Sequence, residues 1–278
     1  MRSLASLVLV VASAASAAPA SNPAFIGIRM GDVGVGCQVS DTVAGGPARE
    51  AGVRPLDLII AVDGVPLTGP PTTVNTGACN ALIAQVVAHG PGDTIKLDIR
   101  RGFDPITIQV ALSTRAEVLH RRLVGHPLGA VELVDAEDPR RSYDLGEANG
   151  RVTVLGWVSD DACTGCTLVF DKLRDQLRER MRGAACPDVL AVMHAPKAQP
   201  GTAPVKRTFT SSVPLALASS EMVLDGELLE ADRVLFVIVD GRGIVRFVAP
   251  IAPQAEDVDA ALDEVLAAAE QLARPLRR

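Results

Sequence analysis

The chain has 278 residues, 48% of them apolar and 3% aromatic, with a formal net charge of -6. This length exceeds one ordinary domain and gives each of two halves enough material for its own core, built from Val, Leu, Ile and Ala rather than aromatics. The charge is modest and acidic, and without a block of Lys or Arg the composition offers no support for a nucleic-acid surface or another anionic target.

In chain order, the first stretch, "MRSLASLVLVVASAASAAPA", carries one Arg, an apolar run from Leu4 to Ala12, and small residues spaced Ala-x-Ala at Ala15 and Ala17. This is the pattern of a secretory signal over residues 1–17, cleaved after Ala17. The apolar run falls short of the roughly 20 residues of a spanning helix. No cysteine follows it to carry a lipid, and no later segment is long and apolar enough to span. The expectation is a periplasmic or secreted protein in a compartment where disulfides persist.

"FIGIRM" and "VGVGCQVSDTVAG" predict short strands, and "GGPAREAG" predicts a short helix opened by Pro47 and closed by Gly52. "LIIAV" predicts a strand turning at Asp63-Gly64 into "VPL". "ACNALIAQVVAHG" has helical spacing up to Gly90, and "PGDTIKLDIRRGFDPITIQVAL" predicts a hairpin with its turn in "RRGFDP".

In this order the segments resemble a PDZ domain of the bacterial type found in periplasmic proteases, over residues 24–115. "GGPAREAG" stands for that family's Gly-Ser-Pro-Ala block and "RPLDLIIAVDGVPL" for its Pro-Gly-Asp-x-Ile…Asn-Gly block. "PGDTIKLDIRR" stands for its late strand. Leu56 replaces the family's usual Gly and Asp63 its usual Asn, and neither is expected to break the fold. The resemblance implies that a peptide or protein C-terminus adds as a strand beside Phe25, Ile26, Gly27 and Ile28, with amides near Phe25 to Gly27 holding its carboxylate. The other reading is a domain kept as an interdomain spacer. Nothing resembles the Gly-x-Ser-Gly turn of an attached serine protease. Cys37 and Cys79 fall inside this region, and the sequence leaves open whether they are bonded or are two buried thiols.

"RAEVLHRR" is a charged connector, read as an exposed linker or short helix over residues 116–122. Beyond it, residues 123–274 begin with "AVELVD", a short strand, and "YDLGEANG", a polar turn. "RVTVLGWV" suits a strand buried on both faces. From Thr167 to Arg182 an amphipathic helix places Leu168, Phe170, Leu173, Leu177 and Met181 mostly on one face. "PDVLAVMHA" is a second buried strand, "ADRVLFVIVDGRGIVRFVAP" a hairpin turning at Asp240 to Gly243, and "DVDAALDEVLAAAEQLA" a closing helix. Cys163 and Cys166 therefore sit at a strand-to-helix junction. There the unsatisfied amides of a helix N-terminus favour thiolate, and a spacing of three residues brings both sulfurs within bonding reach. Asp160 and Asp161 oppose thiolate formation and argue against a strongly oxidising pair.

The order strand, helix, strand, hairpin, helix resembles the thioredoxin fold, in its extracytoplasmic, peroxiredoxin-related branch of thiol-disulfide reductases. "LVGHPLGAVELVD", "GRVTVLGWVSDDACTGC" and "VLFVIVDGRGIVRFV" carry the resemblance. The fold class is thus two domains, a β-rich α+β PDZ-type domain followed by an α/β thioredoxin-like fold. The resemblance implies that Cys163 attacks and Cys166 resolves, on a disulfide-containing client protein, with no cofactor. Two departures stand out. Trp157 precedes Cys163 by six residues, more than is usual, and Val234, after Arg233, stands where the family carries the cis-proline that holds substrate backbone.

Three alternatives have less support. A zinc site lacks a second Cys-x-x-C and would need Cys186, His194 or His126. A peroxidase lacks the Thr three residues before its cysteine, and a copper carrier lacks Cys-x-x-x-Cys. The reading kept beside a thiol-disulfide oxidoreductase is a non-enzymatic adaptor in which Cys163 and Cys166 form a structural disulfide.

Overall fold

A computed structural model describes residues 23–33, 35–67, 77–128, 132–138, 140–144, 150–158, 165–181, 186–194, 211–218 and 232–274. The leader reading, residues 1–17, lies outside them. No helix among the described residues is long and apolar enough to cross a membrane.

The first unit is an antiparallel sheet with two helices. Strands β1 (Ile28–Asp32), β2 (Cys37–Thr42), β3 (Leu58–Val62), β4 (Val65–Pro66), β5 (Thr94–Arg101) and β6 (Asp104–Ala111) lie in the order β1-β2-β3-β5-β6, with β4 paired to β3. Helix α1 (Pro47–Glu50) starts on a proline, whose fixed φ and missing donor suit a first helical position. Helix α2 (Ala78–Ala88) buries Cys79, Leu82 and Val86 over the sheet. Alternation on β5 sends Ile95, Leu97 and Ile99 inward, and these join Ile59, Val62 and Leu82 in one core. The β3–β4 turn needs two positive φ values, taken by Asp63 at 50° and Gly64 at 77°.

Helix α3 (Arg115–Leu123) follows, opened by a capping box. The Thr114 hydroxyl accepts from the Glu117 amide at 3.0 Å, and the Glu117 carboxylate accepts from the Thr114 amide at 2.8 Å. Of the two readings held for 116–122, an exposed linker or a short helix, the structure has the helix. Val118, Leu119 and Leu123 are buried on one side of the helix, and only its charged side faces water. They share a core with Phe25 and Val43 of the first unit and with Leu133, Leu155, Trp157 and Leu235 beyond.

The second unit is a seven-stranded mixed sheet. Its strands are β7 (Glu132–Asp135), β8 (Ser142–Asp144), β9 (Thr153–Val158), β10 (Asp188–His194), β11 (Leu215–Ala218), β12 (Val234–Val239) and β13 (Val245–Ile251). They run in the order β13-β12-β9-β10-β11-β7-β8. β9, β10 and β11 are parallel, while β12 runs antiparallel to β9 and pairs with β13 as a hairpin. Helices α4 (Cys166–Arg180) and α5 (Val258–Ala273) cover one face, where Phe170, Leu173, Phe236 and Leu266 form a core, and α3 packs on β13. Gly156 lets α4 approach β9 closely. A Cβ there would sit 2.2 Å from the Phe170 ring, which meets Phe236 edge-on at 5.5 Å.

Candidate functional site

At the first candidate site, β1 is the terminal strand of its sheet, so one edge is unpaired among the described residues. The strand begins at Ile28. Phe25 to Gly27 form a loop leading into it, with Phe25 bridged to Ser113. The Phe25 amide donates to the Ser113 carbonyl at 2.7 Å, so it is not available to a ligand, contrary to the expectation for that residue. The carbonyls of Ile26 and Gly27 accept from the Ala48 and Val43 amides, each at 2.9 Å. Among the described residues the Ile26 and Gly27 amides have no acceptor of their own. Gly27 adopts φ 77° with Gly46 and Phe25 atoms 3.3 Å from where a Cβ would stand, so this tight loop requires glycine. Two adjacent free amides on a rigid turn suit an anionic group.

The far end of β1 is fixed to α2. The Asp32 carboxylate accepts from the Cys79 amide at 2.9 Å, satisfying an orphan donor of the helix start. Cys37, first residue of β2, is disulfide-bonded to Cys79, with Cα atoms 4.8 Å apart. That resolves the pairing the sequence left open. On α2, Ile83 and Val87 stand exposed one turn apart.

At the second candidate site, Cys166 is the buried first residue of α4 and is disulfide-bonded. Cys163, the expected attacking residue, and Asp160 and Asp161 lie outside the described residues. Gly165, just before the helix, takes φ 88° and packs against Pro253, which follows β13. The helix buries Val169 with Phe170, Leu173 and Leu177, while Leu168 is exposed, so the apolar face lies one residue from where Leu168 was placed. Trp157 points to the opposite face of β9, fully buried, and its Nε1 has no partner among the described residues. Val234 is buried and opens β12, paired with Ile251, and the Arg233–Val234 peptide is trans. Cys186 is a free thiol at intermediate burial, and burial pushes its pKa up against the pull of Arg178. Among the described residues no three His, Cys, Asp or Glu side chains gather as metal ligands do.

With this geometry in place, residues 24–112 match the family model for the PDZ domain. The first unit is a PDZ domain. Similar solved structures include the HtrA-type protease AlgW with a decapeptide, 16% identical over 34% of this chain and 30% of that one, with a TM-score of 0.29. The serine endoprotease from Yersinia pestis is 26% identical over 34% of this chain and 29% of its own, with a TM-score of 0.27. The HtrA3 PDZ domain bound to the phage-derived ligand FGRWV is 26% identical over 33% of this chain and 86% of that one, with a TM-score of 0.27. The chain thus spans less than a third of the first two proteins' length. No curated protein matches it.

Proposed function

We propose that this chain is an extracytoplasmic thiol-disulfide oxidoreductase. Its PDZ domain holds a peptide or protein C-terminus, and its second, thioredoxin-like unit exchanges disulfides in the bound client. A client terminus adds to the free edge of β1, its carboxylate accepting from the Ile26 and Gly27 amides. The observation that carries the redox half is Cys166, disulfide-bonded as the first residue of α4 where the chain passes from β9 into the helix. Support comes from the order around it: parallel β9 and β10 joined through α4, the antiparallel β12–β13 hairpin, and α5 on the same face as α4.

In the reducing direction, the Cys163 thiolate attacks one sulfur of a client disulfide and the other leaves as a client thiolate. The Cys166 thiolate then attacks the mixed disulfide, releases the second client thiol and closes the Cys163–Cys166 bond. The client gains two electrons and the pair loses them, to be restored by a dithiol donor. A second reading, a PDZ adaptor whose Cys-x-x-C is a static bond, is favoured by Val234, an apolar residue built into β12 where the related reductases present a proline to substrate.

Two assays separate these. The chain should reduce insulin disulfides with a dithiol donor, and Cys166→Ser should trap clients as mixed disulfides. No turnover and no trapped client would leave the adaptor. For the PDZ half, a peptide selected from a C-terminal library should lose at least tenfold in affinity when its carboxylate is amidated. Equal binding of the two forms would sink the carboxylate site.

A further inference from the structure

Away from both candidate sites, a cavity of about 570 Å³ opens beside the entry to β9 and β10. Four arginines line it from three parts of the chain: Arg141 before β8, Arg151 before β9, and Arg174 and Arg178 on α4, against one lining carboxylate, Asp188. Arg141, Arg151 and Arg174 each have a carboxylate within 4.0 Å, so the positive charge left over at the cavity is that of Arg178. Arg174 and Arg178 are 8 and 12 residues beyond Cys166, so Arg178 lies roughly 18 Å along the helix from the cysteine. The cavity is therefore separate from the cysteine site.

The guanidiniums differ in what holds them. Arg151 is paired with Asp188 at 3.0 Å. Arg174 is held by Asp175 at 2.7 Å, by Asp171 at 3.8 Å and by the Ser212 hydroxyl. Arg141 stacks on Tyr143, 5.1 Å from the ring centroid, and lies 4.0 Å from the Asp135 carboxylate. Arg178 has no carboxylate partner among the described residues. A helix C-terminus favours cations and accounts for arginine on the last turns of α4, but not for Arg141 and Arg151 converging there from other elements. Planar forks that are held by a second partner and still face a common space suit bidentate recognition of oxyanions. The volume falls within the range of small-molecule sites and exceeds what a single inorganic ion fills. We propose that this cavity binds a small multivalent oxyanion, phosphorylated or polycarboxylate, with Arg178, Arg151 and Arg174 as its cationic contacts.

Cys186 lines the same cavity and reports on occupancy. Burial keeps it in the thiol form, so it does not repel the ligand. The experiment follows iodoacetamide labelling of Cys186 by mass spectrometry in the full chain, unreduced. Inorganic phosphate, pyrophosphate and citrate are the probes, each compared with sodium chloride at equal ionic strength. Pyrophosphate or citrate at millimolar concentration should slow labelling at least threefold, and Arg178→Ala, a change at an exposed helix position, should remove the protection while leaving the melting temperature in chloride unchanged. Protection by pyrophosphate alone assigns a phosphorylated ligand, by citrate alone a polycarboxylate. No protection beyond chloride, protection by phosphate equal to that by the multivalent probes, or equal protection in Arg178→Ala would overturn the proposal.

Discussion

Leu56 adopts φ 72° and is 74% exposed, so it occupies a left-handed backbone region without packing in return. Its amide is held by the Val39 carbonyl at 2.8 Å, which keeps the turn in place. Leu56→Gly should therefore stabilise the protein by about 1 kcal/mol, read as a higher urea midpoint at unchanged m. One residue on, Asp57 is 1% exposed and takes two bonds from Arg101, at 2.8 and 2.9 Å, and one from the Arg54 amide at 2.8 Å. Burial pushes its carboxyl up, but these donors outweigh burial and hold it below the ordinary 3.8. The group is depressed in the folded state, so its contribution is complete above about pH 3.8 and is lost as the pH falls through the folded value. Arg101→Met should cost about 3 kcal/mol at pH 7 and flatten stability against pH below 4, measured by urea denaturation across that range. The Leu56 departure from the PDZ pattern was legible in sequence, whereas the Asp57–Arg101 pair joins positions 44 apart and needed the fold.

At the scale of elements, the Cys37–Cys79 bond ties the start of β2 to the first turn of α2 across a sequence separation of 42. Loop-closure entropy for that length gives about 4 kcal/mol. Replacing both cysteines with Ser should lower stability by up to that amount, measured by denaturation of the double variant against the unreduced chain. Turn chemistry made most elements readable. Pro47 and Gly52 bound α1, Asp63-Gly64 turns β3 into β4, and Asp240 closes the late hairpin, where its carboxylate accepts from the Arg242 amide at 2.9 Å and the Ile244 amide at 3.1 Å. These signals are local, so sequence carries them. β8 was read as part of a polar turn because three residues, Ser142–Asp144, are too few to show alternation. The cysteine pairing depended on a Cα separation that no spacing encodes. At the peptide site the sequence showed a strand from Phe25, but neither that the strand starts only at Ile28 nor that the Phe25 amide is already used.

At the scale of the molecule, α3 decides the architecture. Its sequence, "RAEVLHRRL", left linker and short helix both open because its buried side is only three residues wide, and a 3.6-residue period is hard to establish in nine positions. The core it shares with both sheets argues for coupled unfolding. Calorimetry should show one transition, and Leu119→Ala, truncating a side chain 1% exposed, should cost about 2–5 kcal/mol and lower that single transition rather than split off a PDZ transition. A buried helix between the two units also acts on the proposed chemistry as a ruler. A flexible tether would raise the local concentration of any captured client at the cysteines. A rigid one does so only for clients in which the distance from C-terminus to disulfide matches the span, and excludes the others however tightly the terminus is held.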